Sequence, residues 1–207
     1  MYFIVQCIEA QNIPEYEVII VGNVDVHRDK VRVIPFDEAV KPGWITRKKN
    51  IITKNARYDN IVFMHDYIFP LPGWYDGFLK FGDDFDVAMN VMVNLDCSRF
   101  RDWTLWTDLE EVMNSRGFLI PYDMVHLTRY MYVSGSYWVA KKSIMEKYQL
   151  DETLVWGESE DVEWSKRIRG TVNYRMNVNS AVRLMKQKDK VFHYSSVSDI
   201  KFLNGIR

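Results

Sequence analysis

The 207 residues, 24.6 kDa, suffice for one well-cored domain and fall short of two large ones, and the 47% apolar and 27% charged composition excludes a disordered or low-complexity chain. A formal charge of -1 excludes the basic stripe that a phosphate backbone requires, so no nucleic-acid partner is expected. Cys7 and Cys97 lie far apart, which excludes a disulfide scaffold or a cysteine zinc site, and no apolar run approaches the roughly 18 residues of a transmembrane segment, so a cytoplasmic protein is expected.

In chain order, Phe3, Cys7 and Ala10 recur at helical spacing. Three short apolar runs follow, Val18-Ile19-Ile20-Val21, Val31-Arg32-Val33-Ile34 and Ile61-Val62-Phe63-Met64, separated by segments long enough for crossovers; this is the signature of a buried, largely parallel sheet. Between the second and third, residues 44–56 set Trp44, Ile45, Ile51 and Ile52 among Arg47, Lys48, Lys49 and Lys54, which predicts a helix with one basic face. Pro70, Pro72 and Gly73 mark a turn before a short helix over 74–81, and residues 87–93 form a strand candidate. Periodicity fades over 96–128, which predicts a long irregular excursion with one helix near 108–115. Order returns with a strand over 130–140 broken at Ser134-Gly135-Ser136, a helix ending at Tyr148, another beginning near Ser159, and a late strand over 190–193. The expected fold class is a single α/β, Rossmann-like domain with a mainly parallel central sheet flanked by helices.

The third strand ends in His65-Asp66-Tyr67, and open α/β sheets bind ligands beyond the carboxyl ends of their strands. Asp66 there can anchor a divalent cation that neutralises a departing diphosphate, with His193 as a second ligand; a surface aspartate capping the next turn is the plainer alternative. In residues 156–164, Ser159 can cap a helix whose dipole favours Glu160 and Asp161 in its first turn. Asp161, Trp164 and Ile168 share one face at spacings of three and seven, whereas Glu163 pairs with Arg167 elsewhere. A carboxylate on an inward face is costly unless used, so Asp161 is the candidate general base, with Glu160 and Glu158 next. Gly135, beside Ser134, lets backbone and hydroxyls approach a ligand, or marks a bulge. Arg47, Lys48 and Lys49 can meet a diphosphate, or form a solvated face.

Taken in order, Gln11-Asn12-Ile13-Pro14, Lys49-Asn50, Phe63-Met64-His65-Asp66-Tyr67 with Pro72-Gly73-Trp74, Val133-Ser134-Gly135 and Gly157-Glu158-Ser159-Glu160-Asp161 resemble the inverting, family-2-like glycosyltransferases of the GT-A fold. Among these the chain also resembles glycosyltransferase domains of large DNA viruses, of the chlorella-virus type that build capsid glycans, and that resemblance implies the host cytoplasm. The resemblance implies a nucleotide-sugar-binding half over about 1–95 and an acceptor-binding, catalytic half over about 96–207. It implies a D-x-D-like element at 65–67 holding Mn2+ or Mg2+ through Asp66 and His193, and a uridine site near Asn23 and Asp25. Donor contacts would come from Lys49, Asn50, His65, Asp66, Ser134 and Gly135, and the base from Glu160 and Asp161. The reaction implied is transfer of a hexose or deoxyhexose from a UDP-sugar donor to a hydroxyl of a glycan or glycoprotein.

Three departures stand out. His65 and Tyr67 replace the usual flanking acids, Gly22-Asn23 replace an acidic pair, and the customary first strand is either residues 1–7 or missing. Two other classes remain open: a sugar nucleotidyltransferase, although only Gly22 represents its glycine-rich phosphate loop, and a non-catalytic carbohydrate- or nucleotide-sugar-binding domain.

Overall fold

The computed structural model describes residues 1–106, 117–124, 130–188 and 193–194. The chain opens with helix α1 (Tyr2–Glu9), which buries Ile4 and Val5 and packs on strand β4 (Ile68–Pro70). Residues 2–7 therefore follow the 3.6-residue period of Phe3, Cys7 and Ala10 and do not form a strand.

Strand β1 (Val18–Val21) pairs in parallel with β2 (Val31–Ile34), and α2 (Ile45–Asn55) packs against β1. The central sheet adds β3 (Asn60–Met64), β5 (Val87–Val93), β9 (Tyr137–Lys141) and β10 (Tyr174–Leu184) in the order β3-β9-β5-β10-β4. Helices α3 (Trp74–Phe81), α4 (Lys142–Lys147) and α5 (Glu160–Arg167) complete the domain, a mixed α/β fold with helices flanking the sheet.

The fold class matches the expectation, but the strand directions do not. In the central sheet only β5 and β10 run in parallel; β3–β9, β9–β5 and β10–β4 are antiparallel. Continuous β-branched runs report burial on both faces, and an antiparallel strand under helices is buried just as fully. The run therefore carries no information about direction.

Strand β10 has no counterpart in the sequence expectations. Asn and Arg interrupt its apolar residues, and its register against β5 shifts between Asn177 and Ala181, which breaks the two-residue period. The irregularity has a packing role. The Ser180 hydroxyl donates to the Trp74 carbonyl at 2.7 Å, and a Cβ on Gly77 would lie 2.2 Å from the Asn179 carbonyl oxygen, so α3 can rest on the strand only with glycine at this position.

The segment expected to be irregular contributes β6 (Thr104–Trp106) and β7 (Gly117–Leu119) to a small sheet that also holds β8 (Met131–Tyr132) and β11 (His193–Tyr194), in the order β11-β7-β6-β8. Strands of two or three residues are too short to show a period. The fully buried Asp102 carboxylate ties this layer to β5, accepting from Arg99 Nε at 2.6 Å, the Tyr122 hydroxyl at 2.7 Å and the Met92 amide at 3.2 Å. The helix expected near 108–115 lies outside the described residues.

Candidate functional site

Among the described residues β1 pairs only with β2 and β3 only with β9, so one edge of each strand is left without a strand partner. A cavity of about 890 Å³ is lined by residues 18–24 on one side and 60–66 on the other, and also by Lys48, Lys49 and Trp74. Its polar lining includes Asn23, Lys49, His65 and Asp66.

Lys49 projects from α2 and is only 3% exposed. Its ammonium donates to the Gly135 carbonyl at 2.8 Å and lies 4.2 Å from the Trp138 ring centre. Burial pulls its pKa down to about 8, opposed by the carboxylates of Glu160 and Asp161. Those two acids open α5. Gly135 donates its amide to Asp161 Oδ2 at 2.7 Å, and a Cβ at Gly135 would meet Asp161 Oδ2 at 2.9 Å and Glu160 Oε1 at 3.0 Å. A backbone without a side chain thus lies between a buried cation and a carboxylate pair.

The two acids differ in environment. Glu160 is 5% exposed, and burial, reinforced by Asp161, raises its pKa, while Lys49 counters the shift. Asp161 is half-buried with both oxygens engaged, Oδ2 by the Gly135 amide and Oδ1 by the Val162 amide at 2.9 Å. The inward face of α5 is therefore Glu160, Trp164 and Ile168, at spacings of four and eight. Asp161 turns its carboxylate to backbone amides, and Glu160 is the more buried of the two acids. Ser159 occupies the N-cap position with φ of 61° and makes no side-chain cap. Ser134 is buried beside this group, its hydroxyl 2.9 Å from that of Ser136.

At the end of β3, His65 Nδ1 meets the Tyr67 hydroxyl at 3.1 Å, and its buried Nε2 has no hydrogen-bond partner. Burial, then Lys49, Lys188, Lys186 and Lys48, push its pKa down to about 3, so this imidazole is neutral near pH 7. Asp66 is exposed beside it. Among the described residues no group of three or more His, Cys, Asp or Glu side chains could hold a metal ion. His193 is placed in β11, pairing with Phe118; its side chain lies outside the described residues. Among the described side chains, the donors around residues 65–67 thus amount to one carboxylate and one imidazole surrounded by cations.

Other expected residues lie elsewhere. Asn50 is committed to structure, bonding Leu150 and the Glu152 carboxylate and so fastening α2 to residues 150–152. Asn23 bridges the loops after β1 and β2 through Phe36. Asp25 pairs with His27 at 2.8 Å, both 89% exposed, and Glu158 caps the Val155 amide at 2.9 Å on the surface. Lys186 and Lys188 have no counterpart among the expected residues, since only the fold brings residue 188 to residue 67.

No family model and no curated protein matches the sequence. Solved structures do share its fold. The crystal structure of S. aureus TarS residues 1–349 is 14% identical with a TM-score of 0.56, covering 97% of this chain and 58% of that one. The crystal structure of GalNAc-T7 with UDP, GalNAc and Mn2+ is 10% identical with a TM-score of 0.61, covering 89% and 40%. The chain thus spans about half the length of these structures, and the likeness shows the fold, which is that of the GT-A glycosyltransferases.

Proposed function

We propose that this GT-A domain is a glycosyltransferase that moves a hexose or deoxyhexose from a UDP-sugar to a hydroxyl of a glycan or glycoprotein, inverting the anomeric carbon. The observation that carries this reading is the Glu160–Asp161 pair gathered against Gly135 with Lys49 behind it. A buried carboxylate with a raised pKa suits a general base, and an ammonium held nearby opposes the rise without a hydrogen bond to it.

In the reaction the acceptor oxygen attacks the anomeric carbon as the bond from that carbon to the diphosphate oxygen breaks. The electron pair leaves with UDP, and the acceptor proton passes to Glu160. Asp161, locked by two amides, sets the position of Gly135 against the donor sugar. The cavity bounded by Asn23, Lys49 and His65 receives the nucleotide. Mn2+ or Mg2+ at Asp66 and His193 is the competing arrangement for the diphosphate, and the dependence of UDP binding on EDTA and Mn2+ distinguishes the two.

The test compares Glu160→Gln and Asp161→Asn with the wild type for sugar transfer and for UDP affinity. Glu160→Gln should lose at least 100-fold in turnover, in keeping with the usual contribution of a general base, while binding UDP within about threefold of wild type. Wild-type turnover in both variants would remove the carboxylate pair from the chemistry, whereas UDP binding without turnover in the wild type would leave a binding domain.

A further inference from the structure

Residues 185–188, which follow β10, form a strap across the end of β3. The Met185 amide bonds the Tyr67 carbonyl at 2.7 Å, Gln187 accepts from the Asp96 amide at 3.2 Å, and the Lys188 amide bonds Asn94 Oδ1 at 3.1 Å. This anchoring fixes two ammonium groups on one aromatic ring. Lys186 Nζ lies 3.9 Å from the Tyr67 ring centre, and Lys188 Nζ lies 4.4 Å from it while donating to the Tyr67 hydroxyl at 2.7 Å.

Neither lysine forms an ion pair with a carboxylate among the described residues. Burial and then the charges of Lys186 and Arg101 hold Lys188 down to about 8, and the same two lysines are among the cations that depress His65. Lys186 and Lys188 crowd together here, and Asp66 and Glu160 are the acids whose charge reaches Tyr67. Like charges fixed at close range repel one another, and a bound anion relieves the repulsion. Asp66, next to Tyr67, lines the nucleotide cavity, so this positive charge borders the place where a diphosphate would leave.

Resting on the transferase reading, we propose that Lys186 and Lys188, aligned by Tyr67, bind the diphosphate of the donor and neutralise the charge that grows on it, so that donor binding does not require a divalent cation. The ammonium groups take the place that a metal fills when acidic residues stand at this strand end. Tyr67 is a positioning residue, its ring facing both cations and its hydroxyl holding one.

Calorimetric titration with inorganic pyrophosphate and with UDP, in EDTA and then in Mn2+, tests this on the wild type, the Lys186→Gln/Lys188→Gln double variant and Lys80→Gln, a charge control on the exposed side of α3. The expected result is binding of both probes in EDTA by the wild type and the control, weakened at least tenfold in the double variant. Thermal unfolding of the double variant should match wild type, since Lys186 is exposed and Lys188 only half-buried. Binding that vanishes in EDTA and returns with Mn2+, or that the double variant keeps, overturns the proposal while leaving the transferase reading standing. Pyrophosphate binding that depends on the lysines, in a protein that turns over no UDP-sugar, supports the anion site and overturns the transferase reading instead. Absence of pyrophosphate and UDP binding under both conditions overturns the lysine site.

Discussion

Replacing Lys49 by methionine removes a charge that folding buries at a cost. Its pKa falls from 10.5 to about 8, a native-state penalty of roughly 3 kcal/mol near neutral pH. Against that gain stand the Gly135 carbonyl left without its donor, about 1–3 kcal/mol, and the loss of the cation that offsets Glu160. Methionine keeps the length and contact with the Trp138 ring. The terms nearly cancel, so Lys49→Met should lie within about 2 kcal/mol of wild type in urea unfolding at pH 7. The pH dependence has a definite sign. Because the native pKa lies below the unfolded one, the unfolded chain holds the extra proton between about pH 8 and 10.5, and this group makes stability rise with pH across that window. The variant should lose that rise. Its turnover should fall, and the acidic limb of its pH–rate profile should move upward as Glu160 loses its counter-charge. A variant with the wild-type stability slope between pH 8 and 10, or an unmoved acidic limb, would refute the reasoning.

Glu160→Gln should be at least as stable as wild type at pH 7, because a carboxylate whose native pKa is raised stabilises the fold only at acid pH and loses that contribution as pH rises; equal loss of stability at pH 4 and pH 7 in denaturant titrations would contradict this. Gly135→Ala places a Cβ 2.9 Å from Asp161 Oδ2 and displaces the acids, so turnover should fall tenfold or more with a modest change in melting temperature; unchanged turnover would show that the carboxylate positions are not critical. Gly77→Ala drives a Cβ into the Asn179 carbonyl at 2.2 Å and should cost about 1–3 kcal/mol by denaturant unfolding; a neutral result would mean that the contact of α3 with β10 is not close.

Legibility in the sequence follows the physics of each element. The residues expected for α3 and β5 form those elements, because an unbroken period lies between clear turn signals. The break at Ser134-Gly135-Ser136 is likewise real, dividing β8 from β9. Strand β10 stays hidden behind its bulge and its buried Asn177 and Ser180, whose polarity is satisfied only by tertiary partners. The run Val18–Val21 looks fully buried yet is half-exposed, because its free edge borders the cavity. In the site, the acids after Gly157 could be picked out by composition, but which of them faces inward depends on amide contacts that a helical wheel does not contain. Lys49 could be located on a basic helix, yet its burial could not, since three of its basic neighbours, Arg47, Lys48 and Lys54, are less buried. Lys186 and Lys188 carry no local signal at all; their meaning depends on Tyr67, more than a hundred residues earlier.

The most direct test of the central claim is a calorimetric titration of the wild-type protein with UDP and a panel of UDP-hexoses and UDP-deoxyhexoses, with and without Mn2+. The account predicts saturable binding of UDP and preference for one donor sugar; failure of UDP and every donor to bind under both conditions would contradict it.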